Sequence, residues 1–245
     1  MLFFNKPKVA LADLIPDGYV DIHSHLLPGI DDGAKDENDT ILLINTLKEY
    51  GFSQFTATPH ILPGVWNNTK EGILQKEEST LSFLREENIT LPFKAAAEHL
   101  MDDTFVELFK SESLLTLKDN YVLVEMSYIN PPINLYDILF ELQVAGYKPV
   151  LAHPERYLFY HSKFEEYYRL KKAGCLFQLN LLSVTGYYGE GVLKTAERLL
   201  SEKLIDFTGS DTHHMKHATA FKSKIPFKKH DALKDALKNN AFFKF

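Results

Sequence analysis

Seven short apolar runs punctuate the chain: 18–22 (GYVDI), 53–58 (SQFTAT), 92–97 (PFKAAA), 121–125 (YVLVE), 148–152 (KPVLA), 175–180 (CLFQLN) and 204–209 (LIDFTG). They are rich in Val, Ile, Phe and Leu and have the length of strands buried on both faces. Amphipathic stretches lie between them at 36–51, 72–88, 135–146, 163–174 and 191–203. The first starts with acidic, capping-type residues and ends in Gly51, and it places Ile41, Ile44 and Leu47 on one face with Leu43 and Tyr50 beside it. Two others end in Ala-Gly, a common helix stop. Pro131 and Pro132 stand just ahead of the third helix, where proline costs least. About seven strand–helix units in 245 residues predict an α/β fold, a parallel barrel either complete or distorted, with an open doubly wound sheet as the alternative. Residues 1–17 read as an N-terminal extension, and 18–245 as one domain.

Chemistry collects where these runs end. The first leads into His23 and His25, the second into His60, the third into Glu98 and His99. The fourth ends in Glu125, the fifth leads into His153, Glu155 and Arg156, and the seventh into Asp211 and His213. Parallel α/β folds build their sites at the C-terminal edge of the strands, so these side chains are expected at one mouth. Neutral imidazole and carboxylate suit zinc, manganese or iron. These groups, with Asp31 or Asp32, outnumber what one ion needs and suit two or three ions. "HSH" alone is a weak signal; six strand ends with the same chemistry are a strong one. His99, His161, His214, His217 and His230 are read as ordinary polar or buried histidines.

Composition narrows the choices. The chain is 45% hydrophobic and 24% charged, with net charge −6 and pI about 5.9, which disfavours a nucleic-acid partner. The single cysteine, Cys175, excludes an internal disulfide and reads as a buried structural thiol. Position 181 is leucine, so a cysteine-phosphatase loop is absent, and no nucleotide-phosphate or serine-hydrolase loop occurs. With no signal peptide and no membrane insertion expected, a cytoplasmic location is expected.

The motifs DIHSHLLPGIDDG (21–33), ATPH (57–60), AAEH (96–99), LVEMS (123–127), AHPERY (152–157) and GSDTHH (209–214), in this order, resemble the PHP (polymerase and histidinol phosphatase) superfamily. More narrowly, they resemble the bacterial manganese-dependent protein-tyrosine phosphatases of capsular and exopolysaccharide operons. The likeness runs from about residue 19 to about 215. It implies a distorted (β/α)7 TIM-like barrel and three divalent metal ions, manganese first, with iron, zinc, magnesium or cobalt as alternatives. Carried over, His23, His25, Glu98 and Asp211 hold one ion, with Glu98 bridging to a second completed by Glu125 and His153. Asp32, His60 and His213 hold the third; only the resemblance selects Asp32 over Asp31. Arg156 corresponds to the arginine that binds phosphate, and its forked donors suit two oxygens.

The implied reaction is phosphotyrosine hydrolysis by a metal-activated hydroxide, with His60, His213 or a bound water as the proton source for the leaving group. The implied substrate is the tail of a membrane-associated tyrosine kinase. A small-molecule phosphatase of the histidinol-phosphate type, a nuclease-like PHP activity and a non-catalytic, metal-bound regulatory partner are the alternatives. The sequence departs from relatives in two places. SDTHHMKHATAF (210–221) lacks an arginine that some relatives carry there, so that Lys216, His217 or no residue supplies the charge, and the stretch after His60 lacks their basic residues. Oligomeric state is not readable from one sequence.

Overall fold

The computed structural model describes residues 8–245. Its strands are β1 (Tyr19–Asp21), β2 (Phe52–Ala57), β3 (His60–Ile61), β4 (Phe93–Ala95), β5 (Glu98–Leu100), β6 (Tyr121–Glu125), β7 (Lys148–Ala152), β8 (Leu176–Asn180) and β9 (Phe207–Gly209). All their pairings are parallel, in the orders β1-β2-β4 and β3-β5-β6-β7-β8-β9. The seven apolar runs yield nine segments because two are kinked. The run 53–58 resumes after Pro59 as β3, and 92–97 resumes as β5. Proline has no N–H to give a ladder, but pairing crosses the kinks: Ala96 N–H donates to Ala57 O (2.8 Å) and Glu98 N–H to Pro59 O (3.1 Å). The kinks lie side by side and set His60 in register with Glu98.

The helices are α1 (Glu37–Lys48), α2 (Lys70–Glu86), α3 (Asp103–Ser111), α4 (Leu135–Val144), α5 (Glu165–Lys172), α6 (Glu190–Ser201), α7 (Met215–Ala220) and α8 (Asp231–Asn239). Five were expected. The others, α3, α7 and α8, were not; yet α3 sets Phe105 and Phe109, and α8 sets Leu233, Ala236 and Leu237, on one buried face at helical spacing. Asp36 caps α1 by accepting from Asp39 N–H at 2.9 Å. The buried face of α1 is Thr40, Leu43, Ile44 and Leu47, with Ile41 only half-buried, so it is rotated from the predicted stripe.

Alternation along the strands separates two surfaces. Val122, Val124, Leu151 and Phe177 pack with helix residues such as Phe105, Leu139 and Tyr167. Leu123, Val150 and Ala152 instead pack with Val20 and Ile22 from the non-adjacent β1 and with Phe243. A cluster shared by non-neighbouring strands is the inside of the ring. Glu125, two residues beyond Leu123, therefore faces inward at its upper edge.

The ring is distorted where β9 meets β1. No continuous ladder joins them; a single parallel bridge pairs Ser24 with Thr212. There Asp211 N–H donates to His23 O (2.8 Å) and His25 N–H to Thr212 O (3.0 Å). Lower down, the side chain of buried Asn240 fills the gap, accepting from Thr208 N–H (3.0 Å) and donating to Val20 O (2.8 Å) and Thr208 O (2.7 Å). Within the expected extension, residues 8–17 pack against the segment after α7: Leu11 is fully buried and its N–H donates to Ser223 O (3.0 Å). Residues 1–7 of that extension lie outside the described residues. Cys175 is buried, and burial pushes its thiol up to about 12.

Candidate metal centre

Six strand ends deliver their side chains to the same mouth. His23 and His25 follow β1, His60 starts β3, Glu98 starts β5, Glu125 ends β6, His153 follows β7, and Asp211 and His213 follow β9. His23 and His25 are two residues apart on extended chain, so both Nε2 atoms turn the same way and stand 3.3 Å from each other. Each ring is fixed through its other nitrogen. His23 Nδ1 lies 2.7 Å from Gln178 Oε1, and His25 Nδ1 lies 2.8 Å from Asp31 Oδ2. Those acceptors match a proton on each Nδ1 and leave each Nε2 facing the cluster, where a divalent ion would replace its proton.

Glu98 sits at the centre. It is fully buried, and its Oε2 has no hydrogen-bond partner. Around that oxygen lie His60 Nδ1 (3.2 Å), His23 Nε2 (3.3 Å) and His25 Nε2 (3.5 Å). Glu98 Oε1 is 3.1 Å from His153 Nε2, and Glu125 Oε1 is 2.9 Å from His60 Nδ1. Asp211 Oδ1 stands 3.4 Å from both His23 Nε2 and His25 Nε2. At the rim, Asp32 Oδ1 is 3.5 Å from His60 Nε2 and 3.4 Å from His213 Nε2.

Asp31 and Asp32 thus part company: Asp31 holds a histidine from behind, while Asp32 offers an oxygen to the open cluster. Four overlapping groups have ligand atoms within 4.8 Å of one another: His25, Asp32, His60 and His213; His23, Glu98 and His153; His23, His25 and Asp211; His60, Glu98 and Glu125. These hold all nine residues read from the sequence. They overlap more than the predicted partition, since His25 also reaches the rim group and His60 also reaches Glu98 and Glu125.

The electrostatics match a cation site. Burial opposes a charged His23, but Glu98 and Asp211 outweigh it and raise the ring to about 9. His25 is raised well above its usual range in the same way, by Asp31, Asp211 and Glu98 against burial. Burial works against the Glu98 and Asp211 carboxylates, yet the neighbouring histidines hold both well below their usual range. Burial holds His153 down to about 4, keeping it neutral and fit to ligate. Burial and the charge of Glu98 raise Glu125. An orphaned buried carboxylate oxygen, converging imidazole lone pairs and an all nitrogen–oxygen donor set fit divalent ions, and no thiolate is near.

The backbone is built around this geometry. His153 (φ 36°) and Asp211 (φ 49°) occupy the left-handed region, which is unusual for non-glycine residues and recurrent at functional sites. A Cβ on Gly33 would lie 2.1 Å from His25 O, and one on Gly209 would lie 2.6 Å from His23 Cβ. Only glycine admits these close approaches.

Arg156 sits beside the cluster with its side chain 20% exposed. Its Nη1 donates to Asp211 Oδ2 (2.6 Å), and its guanidinium lies between the rings of Tyr128 (4.9 Å) and Tyr188 (4.3 Å). The salt-bridge partner is therefore Asp211, not the adjacent Glu155. Asn180 Nδ2 also donates to Asp211 Oδ2 (2.7 Å), so Oδ1 is the oxygen left for the cluster. His217 packs at the same rim, where burial, with His214 and His213 alongside, holds its ring down to about 3. Lys216 is exposed on α7. His161 and His230 make ordinary contacts to backbone carbonyls, both at 2.8 Å.

Sequence reading missed Gln178, Asn180, Tyr128 and Tyr188. The first two had a signal: in an otherwise apolar run they alternate, at the positions that face the interior.

The sequence family described as "Capsular polysaccharide synthesis, CpsB/CapC" matches residues 19–223. The chain belongs to this CpsB/CapC family. Among its relatives, the tyrosine-protein phosphatase YwqE of Bacillus subtilis is 31% identical over 198 residues, which cover 80% of this chain and 78% of the relative. The putative tyrosine-protein phosphatase CapC of Staphylococcus aureus is 28% identical over 195 residues, covering 79% and 76%. Among solved structures, one from a study of YwqE and of CpsB from Streptococcus pneumoniae, described as unique metal-dependent tyrosine phosphatases, superposes with a TM-score of 0.76. It is 30% identical and covers 82% of this chain and 84% of that one. An amidohydrolase from Mycoplasma synoviae shares the fold at TM-score 0.54 and 13% identity. The α/β barrel-like architecture and the family membership expected from the motifs are therefore both found.

Proposed function

We propose that this CpsB/CapC protein is a metal-dependent phosphoesterase that hydrolyses phosphotyrosine in a protein substrate, with residues 18–245 acting as one phosphatase domain. The observation that carries the reading is the convergence on Glu98 Oε2: a buried carboxylate oxygen with no hydrogen-bond partner, ringed by three imidazoles. The tyrosine-phosphatase names of the relatives support the choice of substrate. His23, His25, Asp32, His60, Glu98, Glu125, His153, Asp211 and His213 would hold three divalent ions, manganese first. When bound, such ions supply an activated water and neutralise phosphoryl charge.

The chain's own groups do the positioning. Gln178 and Asp31 lock the rings of His23 and His25. Asn180 and Arg156 lock Asp211. One edge of the Arg156 guanidinium is taken by Asp211; its remaining donors are free for two phosphoryl oxygens, held in a fixed plane by Tyr128 and Tyr188. His60 and His213 are the partly exposed imidazoles of the rim, and the leaving phenolate leaves past them. With a pKa of about 10, that phenolate needs little protonation.

The physiological substrate on this reading is the tyrosine-rich tail of a kinase in the same capsular system, and the location is cytoplasmic. Among the described residues no helix is long and apolar enough to cross a membrane. The test is turnover of p-nitrophenyl phosphate, a phosphotyrosine peptide and histidinol phosphate, with manganese and with chelator. Manganese-dependent cleavage of the two aryl substrates, abolished by His23→Ala or Glu98→Ala, is expected. Activity that survives chelation and both substitutions overturns the metal reading; a clear preference for histidinol phosphate overturns the phosphotyrosine reading.

A further inference from the structure

The chain leaves the metal cluster along residues 126–134 (MSYINPPIN). Tyr128 faces the site, with its ring against His153 and Arg156. Beyond it, Ile129 and Ile133 are 84% and 105% exposed, unusual for isoleucine in a rim loop. Opposite stands the first turn of α3. Between the two lies an open groove of about 390 Å³, lined by Met101, Asp102, Asp103, Ser127, Pro132 and Ile133 among others.

The groove lies beside the strand that carries Glu125 into the site. Met101 N–H donates to Glu125 O (2.9 Å), so the groove floor is tied to the strand that carries Glu125. Ser127 is two residues beyond Glu125, at most about 7 Å of chain. A phosphotyrosine with its phosphoryl group at the cluster leaves its own backbone at the rim, and the next Cα lies about 3.8 Å farther along. The groove is within reach of the first or second neighbouring residue.

Its walls differ in chemistry. One is apolar, made by Pro132 and Ile133. The other is acidic. Asp102 is engaged as the cap of α3, accepting from Phe105 N–H (2.8 Å) and Thr104 Oγ1 (2.6 Å). Asp103 is exposed, and its one hydrogen bond is from Asn134 Nδ2 (3.2 Å). Neither carboxylate is ion-paired among the described residues. An apolar stem laid on Ile133 with a cationic head at Asp103 satisfies both walls.

We propose that this groove is a subsite for a lysine or arginine one or two positions from the phosphotyrosine, so that loop 126–134 and Asp103 set peptide preference. The proposal rests on the phosphotyrosine reading above. It is tested on the manganese-loaded full chain with phosphotyrosine peptides that carry Lys, Ala or Glu at each flanking position, with p-nitrophenyl phosphate as the flank-free control. Wild type should favour the best Lys peptide over its Glu counterpart by about tenfold in kcat/KM, the scale of a partly exposed charge contact plus the repulsion it replaces. Asp103→Lys should erase or invert that preference. Ile133→Ser should raise KM for the Lys peptide severalfold with kcat unchanged. Neither substitution should change p-nitrophenyl phosphate turnover. Phosphopeptide cleavage without a Lys–Glu difference, or a preference that survives Asp103→Lys, overturns the subsite alone. Turnover of p-nitrophenyl phosphate with no phosphotyrosine peptide cleaved overturns the underlying reading and the subsite with it.

Discussion

Asp31 and Asp32 are adjacent in the chain but face different groups. Asp31 Oδ2 holds His25 Nδ1, and its Oδ1 accepts from Gly33 N–H at 2.9 Å; Asp32 looks across the rim at His60 and His213. Asp31→Ala should therefore weaken metal affinity by roughly 10- to 100-fold while leaving every proposed ligand in place. A manganese titration followed by activity, in which saturating metal restores part of the rate, checks it. Gly33→Ala has no such rescue. The added Cβ would overlap His25 O at 2.1 Å, so the loop must move, and turnover should stay low at any manganese concentration. Arg156→Lys should cost about 100-fold or more in kcat/KM, because a lysine can neither stack between Tyr128 and Tyr188 nor present two parallel donors. Steady-state kinetics on a phosphotyrosine peptide measure it. At this scale the sequence was informative about residue types and poor about pairings. DIHSHLLPGIDDG identifies the donors, but which aspartate faces which histidine is set by a turn whose ends are close in space.

At the scale of elements, the join between β1 and β9 bears on the whole site, because His23, His25, Asp211 and His213 all hang from it. A continuous ladder is missing there, and Asn240, at the end of α8, supplies hydrogen bonds to both strands. Asn240→Ala leaves buried backbone groups on Thr208 and Val20 unsatisfied, at a cost of about 3 kcal/mol. A lowered urea midpoint with an unchanged slope is the expected result. The two kinked strands show why the elements were only partly legible. Their apolar runs were clear, but Pro59 and the Ala96–Ala97 step break the ladder at the point where His60 and Glu98 must turn inward. The first interruption is local, since Pro59 has no N–H to give; the second, at Ala96–Ala97, lies beside it on the neighbouring strand and has no such local mark. Helix α3 was legible and was passed over: Phe105 and Phe109 stand four apart on its buried face, Asp102 caps it, and it packs on α4.

For the whole molecule, the cluster concentrates carboxylates and imidazoles in a buried space. Ions that bind only the folded state stabilise it by mass action, about 4 kcal/mol at a free concentration a thousand times Kd. In a chain of this size each kcal/mol moves Tm by about 2–4 °C. Chelation should thus lower Tm by roughly 10 °C, read by calorimetry, and Glu98→Gln should abolish most of that metal-dependent shift. An unchanged Tm on chelation would show that the histidine–carboxylate network closes without ions.

The sequence by itself determined the alternation of strands and helices, the inward-facing chemistry at six strand ends, and the family to which those motifs belong. These are local properties: apolar periodicity, turn residues and residue type at the end of each run. Tertiary structure alone decided that Asp31 backs His25, that Gln178 and Asn180 orient the donors, that Arg156 is clamped between two tyrosines, and that Asn240 closes the seam; Asp32 had been chosen by resemblance. Each of these joins residues far apart in the chain or separated by a tight turn. Their energies come from burial and hydrogen-bond geometry that exist only once the ring has assembled.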